Sequence, residues 1–176
     1  MNHSDNPKES RTRTRTRTRT TFGARENPQQ NGSNSRRADK AVPAPVIDVA
    51  AGLVFRDGKL LITKRFPDAH LGGLWEFPGG KREPNESFKA CLVRELAEEL
   101  GIEVKVGELV EAVTHDYKDK HVHLRFFRCE WTGREPRALG CEECRWVTRD
   151  ELKDYEFPAA DEVLLKKLQR DGAVWE

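Results

Sequence analysis

The spacing of apolar residues predicts one helix of about four turns near the middle of the chain. We expect Asn85 to cap its N-terminus, because a short polar side chain can satisfy the first free backbone N–H groups. Gly101 is expected to end it, because glycine readily adopts a left-handed backbone conformation. The apolar residues that share one side of this helix are Val93, Leu96, Ala97 and Leu100. This side should face the core.

Shorter apolar runs on both sides of the helix predict strands. The predicted strands are residues 46–55, 59–65, 104–115, 121–131 and 144–147. Asp57 and Gly58 form a typical tight hairpin turn between the first two of them. In the fourth strand, Val122, Leu124 and Phe126 alternate with polar residues and should point inward.

Two further helices are predicted towards the C-terminus. Thr148 and Glu151 have the spacing of a capping box for a short helix. A final helix should run from Asp161 to about Arg170. Its apolar stripe consists of Val163, Leu164 and Leu168. Strands around a central helix, with a last helix packed outside, predict an α+β fold in which a mixed sheet lies between helices.

Residues 1–45 differ in character from residues 46–176, which we expect to form one domain. The first segment carries 10 basic and 4 acidic residues, a net charge of +6, whereas the remainder carries 21 and 26, a net charge of −5. The composition of residues 1–45 predicts a disordered, basic, low-complexity tail. The Arg-Thr repeat over residues 11–20 could contact nucleic-acid phosphates, but we favour a tail with no selected role.

The four cysteines are too few and too irregularly spaced for a disulfide scaffold, which favours a reducing compartment. No apolar run approaches the length of a membrane span. We therefore expect a cytoplasmic, monomeric protein that does not contact membranes. Cys141 and Cys144 form a single C-x-x-C, which we interpret as buried cysteines rather than as a zinc or redox site, because no second ligand pair has suitable spacing.

Three carboxylates stand out on the central helix. Glu95, Glu98 and Glu99 follow the i, i+3, i+4 spacing that places side chains on one helix face, which we expect to lie opposite the apolar side. Close carboxylates repel one another unless a cation neutralises them, and hard divalent cations bind to such oxygen-rich clusters. The pattern predicts a site for Mg²⁺, or for Mn²⁺. The alternative is a solvated acidic face.

The full spacing around these carboxylates resembles the Nudix box. Its fixed positions correspond to Gly80, Glu86, Arg94, Glu95, Glu98, Glu99 and Gly101. The runs over residues 75–81 and 157–161 are similar to the MutT branch. The resemblance implies the Nudix fold and a Mg²⁺-dependent nucleoside triphosphate pyrophosphohydrolase, releasing a monophosphate and pyrophosphate from oxidised nucleotides such as 8-oxo-dGTP. A CTP or dCTP pyrophosphohydrolase is the alternative enzyme, and a non-catalytic lesion-recognition module is the alternative class, although its acidic box should be degraded.

The resemblance also implies roles for individual residues. The Gly79 carbonyl would join the three glutamates in the metal site, and Glu95 would also serve as general base. Glu86 and Arg94, with Gly80 and Gly101, would have structural roles. Residues expected to bind substrate are Arg65, His70 and Lys81 for the phosphates, and Phe77 and Asp161 for the base. Lys81 could instead be an exposed lysine, Arg65 and His70 a solvated pair, and Asp161 only a helix cap.

Two positions depart from the pattern of the relatives. MutT has asparagine where this chain has Asp161, and aspartate occurs in relatives that hydrolyse cytidine triphosphates, so the preferred base stays open. Gly140 occupies a position where relatives often carry a glutamate that helps to bind metal. Glu142 or Glu143 could replace it if the loop shifts.

Overall fold

The structure is a computed structural model that describes residues 44–176. Its strands are β1 Val46–Arg56, β2 Lys59–Lys64, β3 Trp75–Glu76, β4 Gly79–Lys81, β5 Val104–Asp116, β6 His121–Trp131 and β7 Glu143–Val147. Its α-helices are α1 Phe88–Leu100 and α2 Glu162–Arg170. Short 3₁₀ turns cover Glu151–Asp154, Ala159–Asp161 and Gly172–Trp175. The predicted tail, apart from residues 44 and 45, lies outside the described residues.

The strands within residues 44–176 form one mixed sheet. Its main path runs β3-β2-β1-β6-β5, while β4 pairs with β1 and β7 pairs with β2. The long pairing of β1 with β6 is parallel, and the other pairings are antiparallel. Asp57 and Gly58 both have positive φ angles, 49° and 71°, as the predicted hairpin turn requires.

Each face of the sheet carries a hydrophobic core covered by a helix. One cluster joins α1 to the sheet and includes Val54, Leu61, Leu92, Leu96 and Phe127. The other joins α2 to the opposite face and includes Leu53, Leu60, Phe126, Leu164 and Leu168. This arrangement confirms the predicted mixed sheet between helices. In the described part of the chain, neither α-helix has the length and hydrophobicity needed to cross a membrane.

The start of α1 differs from the prediction. Ser87, not Asn85, is the N-cap, and its hydroxyl oxygen accepts a hydrogen bond of 3.1 Å from the Ala90 N–H. Asn85 has a φ angle of 67° and belongs to the preceding turn. Asparagine favours both left-handed turns and helix caps, so its identity alone does not distinguish them. Gly101 ends the helix in the left-handed conformation, as predicted.

The predicted apolar side of α1 was also wrong. Val93 is 43% exposed, and Ala97 is exposed too. The buried residues of the helix are Cys91, Leu92, Leu96 and Leu100. At about 100° per residue, Glu99 lies only roughly 20° from Leu92 around the helix axis. The side facing the protein therefore contains the carboxylates of Glu95 and Glu99 as well as apolar groups, whereas Glu98 is exposed.

The C-terminal elements follow the prediction with one exception. Val163 is 53% exposed, whereas Leu164 and Leu168 are fully buried. The capping box is present around the 3₁₀ turn: the Thr148 N–H donates to Glu151 Oε2 at 2.8 Å, and the Glu151 N–H donates to Thr148 Oγ1 at 3.4 Å.

The corrected orientation of α1 gives a stability prediction. Leu96→Ala should lower the free energy of unfolding by about 3 kcal/mol, because it leaves a cavity beneath the helix. Val93→Ala, one turn away on the exposed side, should cost less than about 1 kcal/mol. Urea unfolding of both variants measures the difference. Equal losses would contradict this orientation of the helix.

Candidate active site

A cleft of about 390 Å³ lies between the N-terminal part of β1, the β4 turn, α1 and the start of α2. The structure brings together in its walls most of the residues proposed from the sequence. These are Arg65, His70, Phe77, Gly79, Gly80, Lys81, Glu95, Glu99 and Asp161. Residues far apart in the chain thus line one cavity of a size suited to a small-molecule ligand.

Glu98 is the predicted metal ligand that the structure leaves outside this cleft. Its side chain is 62% exposed, and its Oε2 accepts a hydrogen bond of 3.3 Å from Arg94. Within residues 44–176, no three His, Cys, Asp or Glu side chains converge tightly enough to hold a metal ion by themselves. Glu95 and Glu99 are the two helix carboxylates that face the cavity.

Two glycines allow α1 and β4 to approach closely. A Cβ atom on Gly80 would lie 2.3 Å from the carboxyl carbon of Glu95. A Cβ atom on Gly79, which has a φ angle of 152°, would lie 2.1 Å from the Ala50 carbonyl oxygen. Any larger residue would displace the Glu95 carboxylate or the paired strand. The Gly-Gly pair is therefore a steric requirement for placing Glu95 at the cleft wall.

Arg94 connects the helix to the turn before it. Its guanidinium forms two hydrogen bonds of 3.0 Å with Glu86, and it also donates to Glu95 at 2.9 Å and to the Lys81 carbonyl at 3.2 Å. These bonds, together with one from the Glu83 N–H, lower the pKa of Glu86 to about 2. The ionised pair fastens the turn to the helix.

The inner part of the cleft has an excess of negative charge. The pKa of Glu99 is raised to about 8, first by burial and then by the nearby carboxylates of Glu76 and Glu95, with an opposing contribution from Arg65. Such repulsion is relieved when a cation binds between the carboxylates. The electrostatics of the cavity therefore favour binding of a positive ion.

Sequence analysis missed Glu76, whose side chain is only 26% exposed. Burial raises the pKa of Glu76, and its ion pair with Arg65 counters this shift. The Arg65 Nε also donates to the His70 carbonyl at 2.7 Å. The pair orients Arg65 at the cavity wall. An acidic residue between Trp75 and Phe77 in an apolar strand was the signal available in the sequence.

Asp161 lines the same cavity and is buried, with only 4% of its surface exposed. Asp161 occupies the N-cap position of α2, but its side chain makes no capping hydrogen bond to that helix. Burial raises the pKa of Asp161 to about 7, with a contribution from Glu76 and an opposing one from Arg65. Hydrogen-bond donors placed against this carboxyl group would favour its ionised form.

Phe77 lines the cavity, but its ring packs in the hydrophobic core. Its ring is buried, stacks on Phe157 at 5.1 Å between centroids, and meets Phe126 edge-on at 5.8 Å. Both ring contacts are part of the core, which leaves the backbone of Phe77 to contact a ligand. Lys81 is an exposed side chain at the cavity edge.

The loop containing Gly140 packs against the end of α1. The N–H groups of Leu139 and Gly140 both donate to the Glu99 carbonyl at 2.9 Å. A Cβ atom on Gly140 would lie 2.9 Å from the Glu99 side chain. Glu142 forms an ion pair with Lys64 and Glu143 pairs with Arg145. Neither carboxylate reaches the cleft, so neither replaces the glutamate that relatives carry.

The cysteines show no sign of a metal or redox site. All four are free thiols, and Cys91, Cys129 and Cys141 are buried. Burial raises the pKa of Cys141 to about 12 and also raises that of Cys144. Thiols with raised pKa values are poor nucleophiles at neutral pH. The structure agrees with the interpretation of this C-x-x-C as packed cysteines.

A second hollow, of about 520 Å³, lies at the other end of the sheet. Two of its basic groups already have acidic partners, and the Arg128 guanidinium donates to the Val174 carbonyl at 2.7 Å. Arg56 pairs with Glu135 at 2.6 Å and Lys105 pairs with Glu130 at 3.5 Å. The cleft beside Glu95 has the uncompensated charge and the buried titratable groups, and it is therefore the candidate active site.

Comparisons with known proteins indicate the family of this chain. A family model described as "NUDIX domain" matches residues 50–167. The CTP pyrophosphohydrolase of Escherichia coli K12 is 38% identical over 121 residues, covering 69% of this chain and 90% of the relative. The 8-oxo-dGTP diphosphatase of Proteus vulgaris is 44% identical over 101 residues, covering 56% of this chain and 88% of the relative. The 8-oxo-dGTP diphosphatase of E. coli K12 is 35% identical over 126 residues, covering 70% and 97%.

Solved structures show the same similarity. The solution structure of the E. coli ORF135 protein has a TM-score of 0.63 and 38% identity, covering 70% of this chain and 88% of that one. The crystal structure of the MutT protein from Methanosarcina mazei Go1 has a TM-score of 0.67 and 25% identity, covering 74% and 97%. The family match spans most of the chain and includes every residue of the acidic box, and this chain therefore belongs to the Nudix family.

Proposed function

We propose that this protein hydrolyses nucleoside triphosphates to monophosphates and pyrophosphate, with 8-oxo-dGTP as the preferred substrate. The observation that carries the proposal is a single cleft lined by Glu95, Glu99 and the buried Asp161. Such a cavity can hold phosphates near the carboxylates and a base near Asp161. Relatives named for 8-oxo-dGTP and for CTP hydrolysis support the substrate class.

Nudix hydrolases generally depend on a divalent metal ion. Mg²⁺ usually binds through one or two carboxylates together with substrate phosphates, which suits the two carboxylates that face this cleft. Glu95 and Glu99 would hold the ion, with Glu98 joining from the rim and the Gly79 carbonyl completing the set; Mn²⁺ would suit the same oxygens. When bound, the ion would neutralise phosphate charge and make a nearby water more acidic.

The residues of the chain then have distinct duties. Arg94 donates to Oε1 of Glu95, so Oε2 is the oxygen that we assign to accept a proton from the attacking water. Arg65 is held in place by Glu76 and by the His70 carbonyl, which orients its guanidinium for a phosphate. His70 and Lys81 would contribute further positive or hydrogen-bonding groups at the outer phosphates. Electrostatic stabilisation by such oriented groups is a major part of phosphate-transfer catalysis.

Asp161 would read the base, with the Phe77 backbone beside it. An ionised carboxylate only accepts hydrogen bonds, so it favours an edge that presents donors. The N1–H and N2–H₂ groups of guanine and the amino group of cytosine are such donors. Uracil presents a single N–H between two carbonyls. CTP and dCTP are therefore the second candidate substrates, and a relative named CTP pyrophosphohydrolase supports them.

The experiment that tests this function measures products. The full chain is incubated with 8-oxo-dGTP, dGTP, CTP, dCTP and UTP, with and without Mg²⁺. We expect monophosphate and pyrophosphate in equal amounts, only with metal, and fastest from 8-oxo-dGTP. Release of orthophosphate, or no hydrolysis of any triphosphate, would refute the proposal. The second result would favour the lesion-recognition alternative, although the acidic box is intact.

The two helix carboxylates give the first prediction from this function. Glu95→Gln and Glu99→Gln should each reduce kcat by at least about 100-fold, because each loses a charged metal ligand but keeps the side-chain volume. Glu108→Gln, an exposed acidic residue on β5, is the matched control and should retain wild-type turnover. Initial rates of pyrophosphate release measure the effect. Near-normal rates in both cleft variants would remove them from the catalytic site.

Asp161→Asn should change the order of substrates, because the amide adds a hydrogen-bond donor where the carboxylate only accepts. The measurement is kcat/KM for the same five triphosphates. Asp150→Asn, an exposed aspartate before the Glu151–Asp154 turn, is the control and should keep the wild-type order. If Asp161→Asn also keeps that order, Asp161 does not read the base.

Asp161 also gives a prediction for stability against pH. The folded-state pKa of about 7 lies above the ordinary aspartate pKa of 3.8, so the unfolded chain loses this proton at lower pH than the folded protein does. Between about pH 4 and 7, ionisation of Asp161 therefore lowers stability as pH rises, by at most about 1.4 kcal/mol per pH unit.

Asp161→Asn removes this contribution, and its stability relative to wild type should increase from pH 4 to 7 and then level off. Urea unfolding at several pH values measures the difference between the two proteins. Because other groups titrate in both proteins, their contributions cancel in that difference. A constant difference across this range would show that the carboxyl group has an ordinary pKa.

A further inference from the structure

The segment from Arg137 to Gly140 packs against the C-terminal end of α1. The N–H groups of Leu139 and Gly140 both donate to the Glu99 carbonyl at 2.9 Å. The Arg137 N–H donates to the Leu100 carbonyl, also at 2.9 Å. The last carbonyl groups of a helix have no partner within the helix, so donors from outside it can satisfy them. These bonds bring the backbone of the segment directly against Glu99.

Gly140 leaves no space for a side chain beside Glu99. A Cβ atom on Gly140 would lie 2.9 Å from Cγ of Glu99, 3.1 Å from its Cα and 3.2 Å from its Cβ. Carbon atoms that are not bonded to each other attract best at about 3.5–4.0 Å, so all three approaches are too close. Gly140 does not have a positive φ angle, so its backbone conformation does not by itself require glycine. The missing Cβ atom is therefore needed for space.

The backbone around Gly140 is held in place on both sides. Before it, the hydrogen bonds to the end of α1 fix its position. After it, Cys141 is only 5% exposed and belongs to the hydrophobic cluster that joins α1 to the sheet. The Glu142 N–H donates to the Lys64 carbonyl at 2.9 Å, and β7 begins at the next residue. Since the backbone could move only by breaking these contacts, the Glu99 side chain, which can change its rotamer, is the neighbour that would move.

We propose that Gly140 is a positioning residue, whose missing side chain allows the Glu99 side chain to adopt the conformation in which it lines the cleft. The inference rests on the proposed function, in which Glu99 holds the metal ion. Gly80 leaves space for Glu95 in the same way, because a Cβ atom on Gly80 would lie 2.3 Å from the Glu95 carboxyl carbon. Each carboxylate that faces the cleft thus packs against a glycine. Substitution of Gly140 would displace Glu99 and weaken cation binding without removing a ligand.

The test compares the full chain with its Gly140→Ala and Gly140→Glu variants. Electron paramagnetic resonance measures the Kd for Mn²⁺ without nucleotide, and crystal structures of the variants show the position of Glu99. Both variants should raise the Kd by about 10-fold, as is typical when the groups that orient a metal ligand change. Gly140→Glu is the sharper variant, because its added carboxylate would strengthen binding if there were space for it. Tighter binding by Gly140→Glu, or an unmoved Glu99 in both variants, would overturn the proposal.

A double-mutant cycle with Glu99→Gln separates positioning from a general structural effect. If Gly140 acts through Glu99, adding Gly140→Ala to Glu99→Gln should leave the Kd unchanged. A further rise by the same factor as in wild type would contradict the proposal.

Gly172→Ala is the matched control and should bind Mn²⁺ as wild type does. Gly172 also lacks a positive φ angle, and its Cβ atom would meet the Arg149 guanidinium at 3.4 Å, an ordinary contact. If wild type hydrolyses no triphosphate, the proposed function fails, whereas the position of Glu99 in the Gly140 variants still decides the role of Gly140.

Discussion

The active-site geometry depends on the hydrogen bonds that the Arg94 guanidinium donates. This group donates to Glu86 in the turn, to the Lys81 carbonyl in β4 and to Glu95 on its own helix. A lysine could not make these bonds together, because only the planar guanidinium presents several donors in a fixed arrangement. The absence of a side chain on Gly80 is equally necessary, since it leaves room for the Glu95 carboxylate. Together, these contacts determine where the helix presents its acidic groups.

This geometry brings carboxylates close together, and the binding of a cation in the proposed mechanism would relieve their repulsion. Glu99 and Glu76 are carboxylates in a partly desolvated cleft, and the pKa values of both are raised. Arg65 compensates only part of this charge. A divalent cation and the phosphates that accompany it would complete the balance, since the ion attracts both the carboxylates and the substrate. In the proposed function, Asp161 is the group that would distinguish one base from another.

The sequence predicted the elements and the acidic box better than it predicted the orientation of side chains. Local signals such as the Asp57–Gly58 turn were sufficient for the hairpin, because they act between neighbouring residues. The exposed side of α1 was assigned wrongly, since hydrophobicity alone cannot show that Glu99 shares the core-facing side with Leu92. Tyr117 lines the cleft, and its ring meets that of His70. Its place in the cleft depends on packing against a loop distant in sequence, and no local pattern records such a contact.

The most direct test of this account is the binding of Mn²⁺ to the full chain, with a non-hydrolysable nucleoside triphosphate analogue present. Electron paramagnetic resonance of free Mn²⁺ gives the dissociation constant without requiring turnover. If Glu95 and Glu99 hold the ion, replacing both by glutamine should raise the Kd by at least about tenfold. The Glu108→Gln variant should match wild type. Equal affinity in all three proteins would contradict a metal-binding role for these carboxylates and, with it, the proposed active site.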